Sequence, residues 1–438
     1  MLGQAGCQEA PGPAMAARRR QAEAGQRGTS RGPATLDTSG VNWLDHFEFG
    51  PITRVVFGPG KAAVIGDLAR GLGGSAALVM TDPALYRLGL THTVESSLAR
   101  AGLRAEVFSE VATEPSLASV EAAVSMFRER GCDQLVAVGG GSSMDSAKAV
   151  SLLIGNGGRF PDYTERRVGL EWQRGRTIDK KGPHVITVPT TAGTGAEVTP
   201  GCGVFDPETG IKGWAGGPLV RPTVAVCDPE LTTSMPPRVT ADTGFDALSQ
   251  AIEAIITLRF NPYADALLLT AVETIGRNLP KAFSNGANLQ ARAAMLGAAT
   301  MVGTAFPFGG LTHVHTYAEV LGDLTHLPHG RLIGLMLPHV LEWSAIGCPE
   351  KLWLIARALG EKVDGLSAPA GAELALGAVR RLCDQVEMNE GLGAHDVSDD
   401  VLRTCAERVF AQHTPRSVEG PRAFRDQDEV LSLLRRAL

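Results

Sequence analysis

The chain is expected to fold as an α/β N-terminal domain on a parallel sheet, followed by an all-α C-terminal domain. Three observations in its 438 residues lead there. From Thr53 onward, short β-branched runs alternate with helical periods, which reads as parallel strands covered on both faces. At the double proline Pro236-Pro237 the strands stop, and only helical periods follow. A run of three glycines leaves one apolar strand and opens a helix. The implied organisation is a disordered tail over 1–42, an α/β domain over 43–235 and a helical domain over 236–438, with a cleft between the two domains where a small molecule can bind.

Arg54–Phe57, Ala76–Thr81, Gln134–Val138, His184–Val188 and Val224–Cys227 are the predicted strands. Lys61–Gly71, Pro83–Ala101, Leu117–Arg130 and Ser143–Ile154 carry apolar residues at helical spacing between them. Asp242–Ile256, Asp265–Arg277 and Leu289–Val302 are helices of the second half. The tail is rich in Gly, Ala, Gln and Arg and lacks a sustained apolar period, so it has nothing with which to build a core.

Composition narrows the function. Lys and Arg number 41 against 47 Asp and Glu, and aromatic residues make up 5% of the chain. Five arginines against three acids make residues 1–42 basic and leave the body acidic. Such a body lacks the basic, stacking surface of a nucleic-acid binder, so no nucleic-acid partner is expected. No stretch reaches the roughly 20 apolar residues of a spanning helix, so no membrane partner is expected either. The seven cysteines are scattered and contain no Cys-x-x-Cys pair, which fits a reducing cytoplasm and neither a disulfide framework nor a thiolate zinc site.

The chemistry concentrates in a few runs. In Val138-Gly139-Gly140-Gly141-Ser142-Ser143, glycines admit close backbone approach, and the helix that follows offers free N–H groups to an anion such as a pyrophosphate. A plain tight turn is the simpler reading of that run alone. Thr190, Thr191 and Thr194 sit on a second loop, Pro-Thr-Thr-Ala-Gly-Thr-Gly, where hydroxyls suit ribose and phosphate oxygens or cap the next helix. Asp82 ends the second strand, placed either to bind a ribose 2′-OH or to cap the helix opened by Pro83. His313, His315, His326 and His329 crowd into seventeen residues, and Asp246 and Gln250 lie at i and i+4 on one helix. One carboxylate and two converging imidazoles suffice for a divalent first-row metal; unrelated surface histidines are the alternative.

The glycine run, the Pro-Thr-Thr-Ala-Gly-Thr-Gly run, Thr-Gly-Phe-Asp-Ala, the His315 segment and Pro328-His329-Gly330 occur in the order seen in iron-containing (group III) alcohol dehydrogenases, which the chain resembles from about Phe57 to Arg422. The resemblance implies a dehydroquinate synthase-like fold, with a dinucleotide-binding α/β domain and a helical metal and substrate domain. It also implies hydride transfer between NAD, or NADP, and a small alcohol or aldehyde, in a homodimer or larger homo-oligomer. Carried over by position, Gly139, Gly140, Gly141 and Ser142 match the pyrophosphate loop and Thr190, Thr191 and Thr194 the cofactor loop. Asp82 matches the position that favours NAD, and Asp246, His315 and His329 match three ligands of Fe²⁺ or Zn²⁺.

The chain departs from the family pattern at three places. Gln250 stands where the fourth ligand is a histidine, so the metal is expected to bind more weakly there. Glu319 stands where many relatives carry a second histidine; it would relay protons if burial raised its pKa, or else pair with a nearby base. Phe308 replaces a common asparagine and is expected, with Phe306, Tyr317 and Trp214, to line an apolar pocket. His326 or Glu319 is expected to deliver the proton. The alternatives are a metal-independent reductase resembling maleylacetate reductases, a cyclase resembling dehydroquinate synthase, and a nucleotide-binding relative without turnover.

Overall fold

A computed structural model describes residues 46–438 except 165, 169, 170, 174, 209 and 412–418. The tail over 1–42 and the first residues of the predicted α/β domain lie outside the described residues. The chain opens with β1 (Arg54–Phe57), α1 (Ile65–Gly71), β2 (Ala76–Met80), α2 (Pro83–Arg87), α3 (His92–Arg100), β3 (Arg104–Phe108) and α4 (Leu117–Glu129). It continues through β4 (Gln134–Gly139), α5 (Gly141–Asn156), a short hairpin of β5 (Arg166–Val168) and β6 (Glu171–Gln173), and β7 (His184–Pro189). A second hairpin, β8 (Gly201–Asp206) with β9 (Ile211–Gly216), precedes the last strand, β10 (Val224–Cys227). Helices follow: α6 (Pro237–Ile256), α7 (Pro262–Ser284), α8 (Leu289–Gly309), α9 (His313–Thr325) and α10 (His329–Ser344), then α11 (Pro349–Ala358), α12 (Ala368–Gln385), α13 (Asp399–Ala411) and α14 (Gln427–Arg435).

The six long-range strands pair in parallel in the order β1-β10-β7-β4-β2-β3. Period-two alternation shows in the core: Leu78, Met80, Leu135 and Ala137 pack with α4 and α5, while Ala77, Val79, Val136 and Val138 pack with α1 and α3. The chain leaves β2 towards β3 and then returns to β4 on the other side of β2. The sheet order therefore reverses between β2 and β4, and a crevice opens at their carboxyl ends, where an open α/β sheet binds its ligand. Asp82 and Gly139–Ser142 stand at that crevice.

Local chemistry explains where expectation and structure differ. The predicted helix Pro83–Ala101 divides into α2 and α3 because Gly89 takes a left-handed conformation between them, at φ +74°. β3 was not predicted: Arg104 is exposed and Glu106 interrupts its apolar residues, as suits an edge strand. Nor was the β8–β9 hairpin, whose Gly201, Gly203, Gly213 and Gly216 have poor strand propensity. Its glycines serve close packing, since a Cβ on Gly201 or Gly203 would lie 2.9 Å or 3.0 Å from the Trp214 ring. Tyr317, expected in a pocket, is fully buried instead and donates its hydroxyl to the Val430 carbonyl.

Lys148, on α5, ties this hairpin and the end of the threonine loop to that helix. It is fully buried, donates to the carbonyls of Ala196 (3.0 Å) and Gly201 (2.6 Å) and to Thr199 Oγ1 (3.1 Å), and pairs with Asp145 at 2.8 Å. Asp145 in turn accepts from the Gly203 N–H at 3.0 Å. One buried ion pair thus fixes both the exit of the threonine loop and the base of the hairpin. Lys148→Met should lower unfolding free energy by about 3–5 kcal/mol, because it strands Asp145 in the interior, whereas the double change with Asp145→Asn should cost clearly less. Denaturant titration of the single and double variants checks this, and equal losses would contradict it.

Candidate active site

Helix α6 carries the first candidate ligand. Asp246 and Gln250 stand one turn apart on its buried face, and Glu253 lies two turns from Asp246 on the same face. The second candidate ligand comes from the first turn of α9. Glu253 reaches across to that helix start: its Oε1 accepts from the Thr312 N–H (3.1 Å), the Thr312 hydroxyl (2.7 Å) and the Val314 N–H (2.8 Å). Its Oε2 takes the Nδ1 side of His315 in a close contact. A carboxylate is well placed there, against the positive end of a helix. With Nδ1 engaged, Nε2 of His315 points at Asp246 Oδ1, 3.4 Å away.

The position of the third candidate ligand depends on a glycine. His329 is the first residue of α10, and a Cβ on Gly330 would lie 2.4 Å from the Asp242 carbonyl of α6. Only glycine lets the two helices approach so closely, and the approach brings His329 Nε2 to 3.9 Å from Asp246 Oδ1. One donor atom each from Asp246, His315 and His329 lies within 4.8 Å of the others. His315 Nε2 is buried without a hydrogen-bond partner, the condition expected of a donor facing a cation site. The donor set and this orphaned atom fit a divalent metal.

Charge is arranged accordingly. Burial disfavours the His315 cation, but Glu253 and Asp246 outweigh it and raise its pKa. Glu253 is held below the usual carboxylate range against its own burial by His315, Thr312 and Val314. His329 keeps 43% of its side chain open, yet the walls around it remove enough water to lower its pKa, with the Asp246 charge opposing the shift. A neutral imidazole is ready to ligate.

On the sheet side, the first turn of α5 has no side-chain cap, so its N–H groups stay available to an anion. The threonine loop lies directly against the glycine run. Thr190 N–H donates to the Gly139 carbonyl at 2.9 Å, Thr191 adjoins Gly140, and a Cβ on Gly141 would meet Thr194 at 2.9 Å. Ser142 donates its hydroxyl to the Thr113 carbonyl. Asp82 Oδ1 caps α2 by accepting from the N–H groups of Ala84 (2.8 Å) and Leu85 (3.0 Å). The cap therefore exists, at the crevice between β2 and β4.

The other sequence candidates sit differently. His313 faces the core, with Nε2 at 2.7 Å from the Arg422 carbonyl and its ring against Trp343 and Phe424. His326 is exposed and forms the left-handed C-cap of α9, outside the cluster of three. Glu319 is exposed, so the burial on which its proton-relay role depended is lacking. Phe308 lies against Phe49 at 4.6 Å. One residue escaped the sequence reading: Glu253, which had a signal in its i+7 spacing from Asp246.

Glu253→Gln should weaken divalent metal binding by roughly 10–100-fold, the usual cost of losing an outer-shell carboxylate. Metal must displace the proton that the carboxylates hold on His315, so affinity of the unaltered protein should rise with pH and binding should release protons. The variant should show a shallower slope. Calorimetry in buffers of different ionisation enthalpy measures both effects; an unchanged slope would contradict them.

Comparison with known proteins agrees with this geometry. The profile "Iron-containing alcohol dehydrogenase" matches residues 52–229, and "Fe-containing alcohol dehydrogenase family, C-terminal" matches 240–438. The chain is 35% identical over 383 residues to the NAD-dependent methanol dehydrogenase of Bacillus methanolicus, covering 87% of this chain and 97% of that one. A crystal structure of 1,3-propanediol oxidoreductase superposes with TM-score 0.84 at 33% identity, covering 90% of this chain and all of that one. Sulfoacetaldehyde reductase from Bifidobacterium kashiwanohense, solved with NAD+, superposes at 0.79 with 26% identity, covering 90% and 99%. With both halves matched in register, the chain belongs to the iron-containing alcohol dehydrogenase family and is an oxidoreductase acting on CH–OH groups.

Proposed function

We propose that the chain interconverts a small alcohol and its aldehyde by hydride transfer with NAD in the groove between residues 43–235 and 236–438. The supporting observation is a shared support for cofactor and ligands. A Cβ on Gly193 of the threonine loop would lie 2.7 Å from Thr243, three residues before Asp246 on α6, and one on Gly195 would lie 2.4 Å from Gly303 of α8. The loop that holds the cofactor is thus wedged against the helix that holds the metal ligand. Positions on one rigid support keep reacting groups in register.

The residues take these roles. Gly139, Gly140, Gly141 and Ser142 bind the pyrophosphate at the N-terminus of α5, and Thr190, Thr191 and Thr194 contact the cofactor beside them. Asp82 favours a ribose 2′-OH and repels a 2′-phosphate, which selects NAD over NADP. Asp246, His315 and His329 hold Fe²⁺ or Zn²⁺, which when bound supplies Lewis-acid polarisation of the substrate oxygen. His326, exposed at the end of α9, exchanges the proton with solvent, and Glu319 contributes negative charge near His329. We further assign a homodimer or larger homo-oligomer: β1 is an edge strand with Val55 and Phe57 41% and 42% exposed, an apolar edge that soluble chains cover. A reducing cytoplasm suits the six described cysteines, all buried and free. Among the described residues, no single helix is long and apolar enough to cross a membrane.

Purified protein incubated with NADH and a panel of short aldehydes should oxidise NADH in a one-to-one ratio with aldehyde consumed. Activity should disappear on complete chelation and return with Fe²⁺ or Zn²⁺. Full activity after metal removal would support the metal-independent reductase, and substrate turnover without net NADH loss the cyclase.

A further inference from the structure

Gln250 is buried one turn after Asp246, and its carboxamide reaches the ligand cluster. Nε2 donates to Asp246 Oδ1 at 3.0 Å, the same oxygen that faces His315 and His329. Oε1 is buried with no hydrogen-bond partner. A carboxamide has one end that can ligate a cation and one that cannot, so its orientation decides its role.

Asp246 supports the orientation seen. A carboxylate presents only acceptors, so the end of Gln250 beside it is the one with hydrogens. Reversed, the amide would set its oxygen against a carboxylate oxygen and carry both N–H groups into the place where Oε1 now has no partner. That reversal exchanges one orphaned acceptor for two orphaned donors and loses the bond to Asp246. The return is a single neutral oxygen donor, a poor ligand for an ion that prefers imidazole.

We propose that Gln250 is a positioning residue that holds the Asp246 carboxylate by a hydrogen bond and stays off the metal. The site is then a two-histidine, one-carboxylate centre with its remaining positions exchangeable. This rests on the reading that Asp246, His315 and His329 hold an ion. It departs from the four-ligand set expected from the sequence, in which position 250 assists directly. Without a third imidazole, the preference for tetrahedral Zn²⁺ over ions that accept higher coordination, such as Mn²⁺ and Fe²⁺, is reduced.

The test uses the full chain, stripped of metal and titrated with Co²⁺, Zn²⁺ and Mn²⁺ against a chelator, with the Co²⁺ visible spectrum reporting coordination number. The unaltered protein should show the weak bands of a five- or six-coordinate ion. Gln250→Leu, similar in size but without a donor, should keep that band shape while Co²⁺ affinity falls by about tenfold. Gln250→His should convert the spectrum to the intense four-coordinate form and raise Zn²⁺ affinity more than Mn²⁺ affinity. A changed band shape in Gln250→Leu, or an intense four-coordinate spectrum in the unaltered protein, would show that Gln250 ligates and overturn the proposal. Failure of the unaltered protein and of both variants, each folded by circular dichroism, to bind Co²⁺ would instead remove the metal reading on which the proposal stands.

Discussion

The Glu253 carboxylate is the constraint around which the helical half of the site is arranged. It is a buried charge from α6 that receives three hydrogen bonds from the start of α9 and one from His315. Buried anions are costly unless fully engaged, and here the engagement is supplied by a helix start whose N–H groups need acceptors. The two needs are satisfied together, so α9 begins at one place and His315 presents Nε2 to Asp246. A ligand whose far nitrogen is held by a carboxylate has a fixed ring orientation and raised basicity.

Glycines do the rest of the positioning by subtraction. Gly330 lets α10 touch α6 and delivers His329; Gly193 and Gly195 let the threonine loop press onto α6 and α8. A further contact crosses the same boundary, where Thr300 of α8 donates to Glu197 at 2.8 Å. The α/β and helical halves therefore meet through backbone and short side chains near Asp246, a boundary with little slack. Lys148 holds the other end of that loop, so the threonine loop is anchored from both sides.

Much of this was legible in the sequence because the relevant periods are short. The strand and helix alternation gave five of the six sheet strands, and the i, i+4 spacing put Asp246 and Gln250 on one face. Crowding of histidines marked the segments, while the match to the family pattern singled out His315 and His329 among the four rings. His313 and His315 differ by two residues and so face opposite ways on α9, one to the core and one to the ligands, which becomes visible only when the helix start is fixed at His313. β3 and the β8–β9 hairpin escaped because edge position and glycine packing override strand propensity. Glu253 carried a readable spacing, yet its meaning depended on where α9 begins, a tertiary fact.

The most direct test of the account is a crystal of the protein grown with NAD and Fe²⁺ or Zn²⁺, with data collected at the metal absorption edge. The expected result is one anomalous peak about 2.0–2.2 Å from Asp246, His315 and His329, with the pyrophosphate on Gly139–Ser142 and the nicotinamide directed at the peak. A peak at other residues, or a dinucleotide bound away from the crevice between β2 and β4, would contradict it.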